Sequence, residues 1–299
     1  MEMVSLNRRF LLGNFRGAFV VDGKGRNPVE TIFKLMFDHG FIDGLLTCSR
    51  GGNLPRLFLE SSEVELPSKN ACFGVNSLLK RAIQKYRLSK LAVYAPACTF
   101  DGLNKTQYFG IGCNWTKTAI SLKVGFLCPG LLTENGFTAE VADLTGKELK
   151  VNRFYFSGGE LIYRLEDGST VRVLPSVHHH YVNSPCRYCL NMAAKGTDIT
   201  CASLEREDRV LLIVRSERGW STLAHLQKAS PGELLFRKAD EELLTDLEKF
   251  LKEKILLNIA DIVERVELGL PVPKWNDNKL RKFYRIWNSV DVNFEEEVF

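Results

Sequence analysis

The chain has 299 residues, of which 45% are hydrophobic and 25% charged, and its formal net charge is +4. This length and composition are typical of a globular protein with its own core, and they exclude a fibrous, low-complexity or largely disordered chain. The modest charge argues against a dedicated nucleic-acid binder. No apolar run approaches the ~20 residues that span a bilayer, and Met1–Gly13 lacks the apolar stretch of a secretory signal. We therefore expect a cytoplasmic protein with no nucleic-acid partner and no transmembrane segment.

The first half of the sequence predicts strands that alternate with helices. Glycines divide Arg8–Asp22 into a hairpin or two strands, and Pro28 opens a helix that Gly40 ends. The alternation continues through Phe41–Cys48, Arg56–Leu59, Val75–Tyr86, Leu91–Tyr94, Phe100–Asn104, Ile120–Leu127 and Thr133–Leu144. Such a pattern predicts crossover units and an α/β fold, with a mixed, largely parallel sheet core and helices on its faces.

The pattern changes at about Lys147, where glycine turns separate three runs of strand length. These runs, Val151–Phe156, Glu160–Leu165 and Thr170–Leu174, predict a small β-meander insert. Residues 175–196 follow as an irregular Cys-rich loop, and we interpret its histidines, His178–His180, as solvated. The remaining elements are strands at Asp198–Ala202, Arg209–Arg215 and Leu234–Lys238, a short helix at Thr222–Lys228 and a long helix from Asp240 to about Leu268.

These changes in the pattern of predicted secondary structure divide the chain into four parts. We expect an α/β lobe in residues 1–146, the β-meander insert in 147–174, and the Cys-rich loop with closing strands and the long helix in 175–268. Residues 269–299 form a basic and aromatic tail. For this tail we prefer a helix that lays its charged side chains over the core to an RNA-binding or membrane-binding segment.

The sequence contains eight cysteines and no export signal, which favours metal or redox use over disulfides. Cys186 and Cys189 are a close pair, and a spacer of two residues lets both thiolates reach one metal or cluster. Cys98 and Cys128 each follow a predicted strand, at the edge where open α/β sheets place their sites. Together these residues offer four ligands to one centre.

Zinc and a 4Fe-4S cluster both accept four thiolates, so the number of ligands does not decide between them. The distribution of the ligands over three separate segments favours a cluster embedded in an enzyme. In the simpler alternative, Cys98 and Cys128 are core residues and only the Cys186–Cys189 pair binds metal. The other four cysteines lack a partner at ligand spacing, and we interpret them as buried or site-lining thiols: Cys48, Cys72, Cys113 and Cys201.

Five short blocks occur in an order and spacing that resemble a known family. They are Gly40-Phe41-Ile42-Asp43-Gly44, Leu91–Cys98, Val124–Cys128, Cys186–Cys189 with Thr197–Thr200, and Leu212–Gly219. The arrangement resembles the beta subunits of coenzyme F420-reducing hydrogenase and of formate dehydrogenase, from about Asp22 to Lys254. The resemblance implies a flavoprotein with FAD and one 4Fe-4S cluster, held by Cys98, Cys128, Cys186 and Cys189.

The resemblance further implies an electron-transfer oxidoreductase subunit. It would pass electrons between the hydride carrier coenzyme F420 and a partner redox protein of hydrogenase, dehydrogenase or reductase type. Because the cofactors carry out the hydride transfer, no catalytic side chain is expected. Helix starts offer free N–H groups to a pyrophosphate, although the same loops are also compatible with ordinary helix-entry turns. The candidate flavin contacts are Gly25, Arg26 and Asn27, then Asn70, Ala71 and Cys72, and finally Asp198, Ile199 and Thr200.

The sequence departs from the family pattern at several points. Gly25-Arg26-Asn27-Pro28 stands where the family has Q-D-G-G, and Asn191 stands where it has an aspartate. The ferredoxin-like cysteines of larger relatives are absent, so we expect a single cluster. These departures leave an alternative open, in which the chain is a flavin-free iron–sulfur or zinc-bound scaffold subunit of a larger redox complex.

Overall fold

The computed structural model describes residues 6–49, 54–66, 74–108 and 115–271. The strands are β1 (Gly17–Asp22), β2 (Gly44–Cys48), β3 (Pro55–Phe58), β4 (Leu91–Pro96), β5 (Ile120–Phe126), β6 (Val151–Ser157), β7 (Glu160–Leu165), β8 (Thr170–Val173), β9 (Ile199–Ser203), β10 (Arg209–Val214) and β11 (Leu235–Lys238). The helices are α1 (Arg8–Leu12), α2 (Pro28–Asp38), α3 (Ala97–Tyr108), α4 (Trp115–Ala119), α5 (Glu134–Thr145), α6 (Pro175–Tyr181), α7 (Glu217–Ala229) and α8 (Glu241–Glu267).

An eight-stranded sheet forms the centre of the fold, with the strand order β11-β1-β10-β9-β5-β4-β2-β3. Its central strands β2, β4, β5 and β9 are parallel to one another, whereas β3 on one side and β10, β1 and β11 on the other pair antiparallel. The predicted α/β fold with a mixed sheet is confirmed, and the parallel strands lie at its centre. Residues on both sides of the insert, from 1–146 and from 175–268, contribute strands to this one sheet.

The predicted β-meander forms a sheet of its own, with the order β6-β7-β8 and antiparallel pairing throughout. It packs on α8, where the ring centroids of Phe156 and Phe250 lie 4.9 Å apart. Apolar side chains of the insert, of α8 and of one face of the large sheet share a core, and α2 covers a second core on the other face. Among the helices that the structure describes, none combines the length and the apolar composition needed to cross a bilayer.

Three local predictions are wrong. Residues 8–12 are helical because Asn7 Oδ1 caps the turn, accepting a hydrogen bond from Phe10 N at 2.9 Å, and a single strand, β1, follows. The helix predicted at Val75–Tyr86 divides into a 3-10 helix, Val75–Leu78, and a π-helical turn, Arg81–Lys85. Residues 175–181 form α6 rather than irregular loop, since Pro175 at the first helical position is compatible with a helix start.

Candidate functional site

Four thiols from three segments meet beyond the carboxyl edge of the parallel strands, and we call Cys98, Cys128, Cys186 and Cys189 the four-thiol group. Cys98 lies in the first turn of α3 directly after β4, and Cys128 follows the end of β5 by two residues. The ends of these two parallel strands are register partners, so both cysteines leave the sheet at one edge. Cys186 lies in a short 3-10 helix, Ser184–Tyr188, and Cys189 ends it.

Hydrogen bonds tie the three segments together. Cys128 N donates to Met192 O at 3.0 Å, and Leu131 N donates to Cys186 Sγ at 3.4 Å. Asn191 Nδ2, at the position where the family pattern has an aspartate, donates to Asp101 Oδ1 of α3 at 2.8 Å. The Cys-rich loop is therefore fixed both to the end of β5 and to the helix that carries Cys98.

The four thiols are free and interact electrostatically with one another. Burial is the main cause that raises the pKa of Cys98 to about 11 and of Cys189 to about 12. The next cause is Cys186 for the Cys98 thiol and Asp101 for the Cys189 thiol. Although the Cys98 side chain is exposed by surface area, its sulfur lies in a recess that removes enough water to disfavour the thiolate.

The four-thiol group is defined by this proximity and not by a coordination geometry. Within the described ranges, no three His, Cys, Asp or Glu side chains form a group that could hold a metal ion. The donor chemistry nevertheless suits a metal-thiolate centre, because the four cysteines are not in disulfides, their sulfurs are partly withdrawn from water, and they come from strand ends and a hydrogen-bonded loop.

Two of the other four cysteines, Cys48 and Cys201, lie within the described residues. Cys201 is a buried free thiol, as predicted. Cys48 is buried, as predicted, but it is disulfide-bonded, so its interpretation as a thiol is wrong. Cys72 and Cys113 lie outside the residues that the structure describes.

Helix α8 closes the site from the side of the Cys-rich loop. Asn258 Nδ2 donates to Cys186 O at 3.0 Å and to Cys189 O at 2.5 Å. One turn earlier in the helix, the Lys254 side chain is fully buried. Sequence reasoning missed both residues, although a signal was present: two polar residues spaced i, i+4 interrupt the apolar face of a long helix.

A cavity of about 500 Å³ lies at the same carboxyl edge of the sheet, although its lining residues do not include the four thiols. Its walls include Tyr94 of β4, Cys201 of β9 and three arginines, Arg26, Arg153 and Arg209. Leu127 N donates to Cys201 O at 2.7 Å, so the chain segment that carries Cys128 runs next to the cavity wall. Gly25, Arg26 and Asn27, which the sequence predicted as flavin contacts, line this cavity.

The amide donors of this loop are already engaged with protein acceptors. Asn27 Oδ1 accepts hydrogen bonds from Val29 N at 2.9 Å and from Glu30 N at 3.2 Å, which caps α2. Gly25 N donates to Asp208 Oδ2 at 3.1 Å. A pyrophosphate at this helix start would therefore have to displace the Asn27 cap.

The remaining predicted flavin residues are placed elsewhere. Asp198–Thr200 lie at the opposite end of β9 from Ser203, which borders the cavity. Asp198 Oδ2 accepts from Lys123 N at 2.8 Å, and Thr200 Oγ1 accepts from Arg215 Nε at 2.9 Å, so these polar atoms bind the fold itself. Asn70, Ala71 and Cys72 lie outside the described residues, as does residue 272 onward of the basic tail.

The interpretation of His178–His180 as solvated is wrong for two of the three side chains. His178 and His179 are only 0% and 5% exposed, because α6 packs against α5 and α8. His178 Nδ1 lies 2.9 Å from the hydroxyl of Tyr163 and 3.2 Å from the Glu140 carboxylate, both of them buried. His180 is exposed.

Gly125 of β5 allows the loop after the Cys-x2-Cys pair to approach the sheet. A Cβ atom at this position would lie 2.4 Å from Ala194 Cβ, and the Ala194 backbone is itself constrained, with φ 50°. We expect Gly125→Ala to lower the free energy of unfolding by about 2 kcal/mol, because a tightly packed loop has to move. Urea unfolding of the purified variant measures this.

Gly102→Ala in α3 is the matched control, since its Cβ would meet its nearest neighbour, Asn76 Nδ2, at an ordinary 3.5 Å. Alanine is the better helix former, so this variant is expected to gain up to about 1 kcal/mol. Equal stabilities of the two variants would contradict the close approach at Gly125.

The fold and the four-thiol group define the chain as an α/β protein that gathers cysteines at the carboxyl edge of a mixed sheet. A sequence profile of the family described as the C terminus of the coenzyme F420 hydrogenase/dehydrogenase beta subunit matches residues 88–242. The chain belongs to this family, which confirms the resemblance predicted from the short blocks.

The chain is similar to several proteins named as coenzyme F420 hydrogenase beta subunits. The chain is 26% identical over 260 residues to a coenzyme F420 hydrogenase subunit beta of Methanothermobacter thermautotrophicus, covering 82% of this chain and 90% of the relative. A second such subunit, from Methanosarcina barkeri, is 24% identical over 248 residues, 78% of this chain and 83% of the relative. A chain of the F420-reducing NiFe hydrogenase complex from Methanosarcina barkeri shares the fold, with a TM-score of 0.72 and 18% identity, over 88% of this chain and 97% of that one.

Proposed function

We propose that this chain is the electron-transfer subunit of an F420-linked oxidoreductase. It exchanges electrons between coenzyme F420 and a partner redox protein through FAD and one 4Fe-4S cluster. The observation that carries the proposal is the convergence of four free thiols at one sheet edge, where an arginine-lined cavity also lies. Membership of the family and the names of the relatives supply the substrate and the kind of partner.

In this proposal the four-thiol group holds the cluster, which supplies a one-electron carrier. Buried cations support this assignment, because four thiolates and a cluster bring negative charge into a poorly solvated place. Lys195 and Lys254 are both buried, and both interact electrostatically with Cys189. The protein's own task is to keep the thiols desolvated and fixed, through Asn258 on one side and Asn191 on the other.

FAD would occupy the cavity at this sheet edge and supply the exchange between hydride and single electrons. Arg26, Arg153 and Arg209 offer positive charge for a pyrophosphate, and Tyr94 and Cys201 form a less polar wall. The backbone contact between Leu127 and Cys201 keeps this wall adjacent to the segment that carries Cys128. The arrangement suits a short route for electrons between the two sites.

Anaerobic purification with iron, zinc and flavin analysis of one sample tests the proposed function. We expect about four iron atoms and about one flavin per chain, with flavin absorption at about 450 nm and a broad shoulder at roughly 400 nm. Reduced F420 is expected to reduce an artificial dye in the presence of this protein. A colourless protein that holds one zinc ion would overturn the proposal.

A second function is favoured by one observation, the engagement of the Gly25, Val29 and Glu30 amides by protein acceptors. If these amides stay engaged and bind no pyrophosphate, the chain would serve as a flavin-free scaffold subunit of a redox complex. The same sample separates the two functions. Iron without flavin, and no dye reduction by reduced F420, would support the scaffold.

Arg26 tests the flavin site with little risk to the fold, because its ion pair with Glu233 is exposed. We expect Arg26→Ala to weaken flavin binding by about tenfold, since a charge-assisted hydrogen bond to phosphate is lost. Fluorescence titration of the flavin-depleted protein measures the affinity. Arg237→Ala on the edge strand β11 removes an exposed arginine that does not line the cavity and serves as the control. Equal affinities in both variants would place the flavin away from this loop.

A further inference from the structure

Lys254 lies on the buried face of α8, close to the Cys-x2-Cys pair. Its side chain is 0% exposed, and Nζ lies 2.5 Å from His179 Nδ1 of α6. On the other side of the imidazole, His179 Nε2 lies 2.9 Å from Asp261 Oδ2. Asp261, which is partly exposed, His179 and Lys254 therefore form a hydrogen-bonded chain. This chain of contacts fixes the position of the Lys254 ammonium group.

The charge of Lys254 lacks an ordinary counter-ion. In the described part of the chain, no Asp or Glu carboxylate forms a salt bridge with Lys254, and its hydrogen-bond partner is a histidine. Burial lowers its pKa to about 8, and the groups that act most strongly against this effect are Cys186, then Asp261 and Cys189. A buried cation without an anion is costly. Besides Asp261, the groups near Lys254 that can carry a negative charge are the thiols of Cys186 and Cys189, once they are deprotonated.

Lys195 provides a useful contrast. It is also buried near Cys189, but Asp101 offers it a carboxylate charge, and its Nζ donates to Phe10 O at 2.9 Å. Asp101 acts on Lys195 as Asp261 acts on Lys254, so each lysine has one carboxylate nearby. The two lysines differ in the group that most favours the cation, which is the Cys186 thiol for Lys254 and Asp101 for Lys195. They also differ in that the hydrogen bond of Lys254 is to a histidine side chain that Asp261 holds in place.

We propose that Lys254 is the charge-compensating residue of the four-thiol group, positioned by His179 and Asp261. The inference rests on the proposed function, since it concerns the loaded site. Thiolates and a cluster place negative charge next to the ammonium group, which gives the buried cation its missing partner. Reduction adds one more negative charge, so a fixed positive charge stabilises the reduced form and raises the reduction potential.

The test compares the loaded wild-type protein with Lys254→Met, Lys254→Arg and Lys252→Met. Lys252 is exposed on the same helix, so its replacement changes the net charge equally without changing the site. A redox titration followed by electron paramagnetic resonance gives the potential. We expect Lys254→Met to shift the reduction equilibrium by about tenfold toward the oxidised form, which is ~59 mV for a one-electron couple. Lys254→Arg and Lys252→Met should stay near the wild-type value.

An unchanged potential in loaded Lys254→Met would overturn the inference while leaving the proposed function intact. If Lys254→Met holds no iron but Lys254→Arg does, the positive charge is needed for assembly, which supports the inference. Loss of iron from both variants would overturn it. A wild-type protein without iron would refute the proposed function before any variant is measured, and the inference would fall with it.

Unfolding of the metal-free proteins separates charge compensation from simple packing. Methionine replaces an unpaired buried cation with an apolar side chain of similar length, so metal-free Lys254→Met should unfold at the wild-type urea concentration or above it. If Lys254→Met and Lys254→Arg are instead both less stable without metal and both lose iron, the lysine acts as a structural residue and the inference is wrong.

Discussion

Replacement of any one cysteine of the four-thiol group by serine is expected to remove the iron from the anaerobically purified protein. A serine hydroxyl is a poor replacement for a thiolate, and three remaining sulfurs do not complete a four-thiolate site. The iron content should fall from about four atoms per chain to below about one. Iron and acid-labile sulfide analysis measures the loss, and circular dichroism checks that each variant is folded.

Cys201→Ser is the matched control for these four variants. Cys201 is another buried free cysteine at the same sheet edge, but its thiol pKa is raised by burial alone, without a contribution from the other thiols. Its replacement should leave the iron content unchanged. Full iron content in Cys98→Ser or Cys128→Ser would show that only the Cys186–Cys189 pair binds metal, the simpler alternative that the sequence left open.

Arg215→Met is expected to cause the largest loss of stability, about 3 kcal/mol. The guanidinium group donates to Leu12 O at 2.6 Å, to Ala193 O at 2.8 Å and to Thr200 Oγ1 at 2.9 Å, joining α1, the Cys-rich loop and β9. Methionine fills the space but removes all of these donors, and of the acceptors Ala193 O keeps its hydrogen bond from Thr200 Oγ1 at 3.0 Å. The midpoint of urea unfolding measures the effect.

Arg218→Met is the comparison for this variant. Arg218 is exposed and makes one long hydrogen bond, from Nη1 to Ile120 O at 3.3 Å, so its loss should cost under about 1 kcal/mol. Iron should also bind less firmly to Arg215→Met, since Ala193 adjoins Met192, the acceptor for Cys128 N. Similar unfolding midpoints for the two variants would contradict a structural role for Arg215.

The sequence alone predicted the alternating elements, the β-meander insert and the family, because each depends on local patterns. Hydrophobic periodicity and glycine turns act within a few residues. The order of strands in the sheet depends on pairing between distant segments, so the antiparallel flanks formed by β1, β10 and β11 were not predicted. The helical state of Arg8–Leu12 was missed because a single side-chain cap decided it.

The candidate site, too, could be predicted from the sequence only in part. Cys98 and Cys128 could be chosen because a strand end marks a sheet edge, and Cys186 and Cys189 because of their spacing. Tertiary packing decided the positions of the other polar residues. The fold places Asp198–Thr200 at the far end of β9 from the cavity, and it buries His179 against Lys254 of α8.

The sequence by itself determined the family, through an ordered set of short blocks, and it predicted a site of four cysteines in three segments. Only the tertiary structure decided which charges accompany that chemistry. Lys254 of α8 contacts His179, which is 75 residues away in the chain, and Asn258 of α8 contacts Cys186, which is 72 residues away. Burial and the placement of charges depend on which faces pack together, and no local pattern in the sequence specifies this.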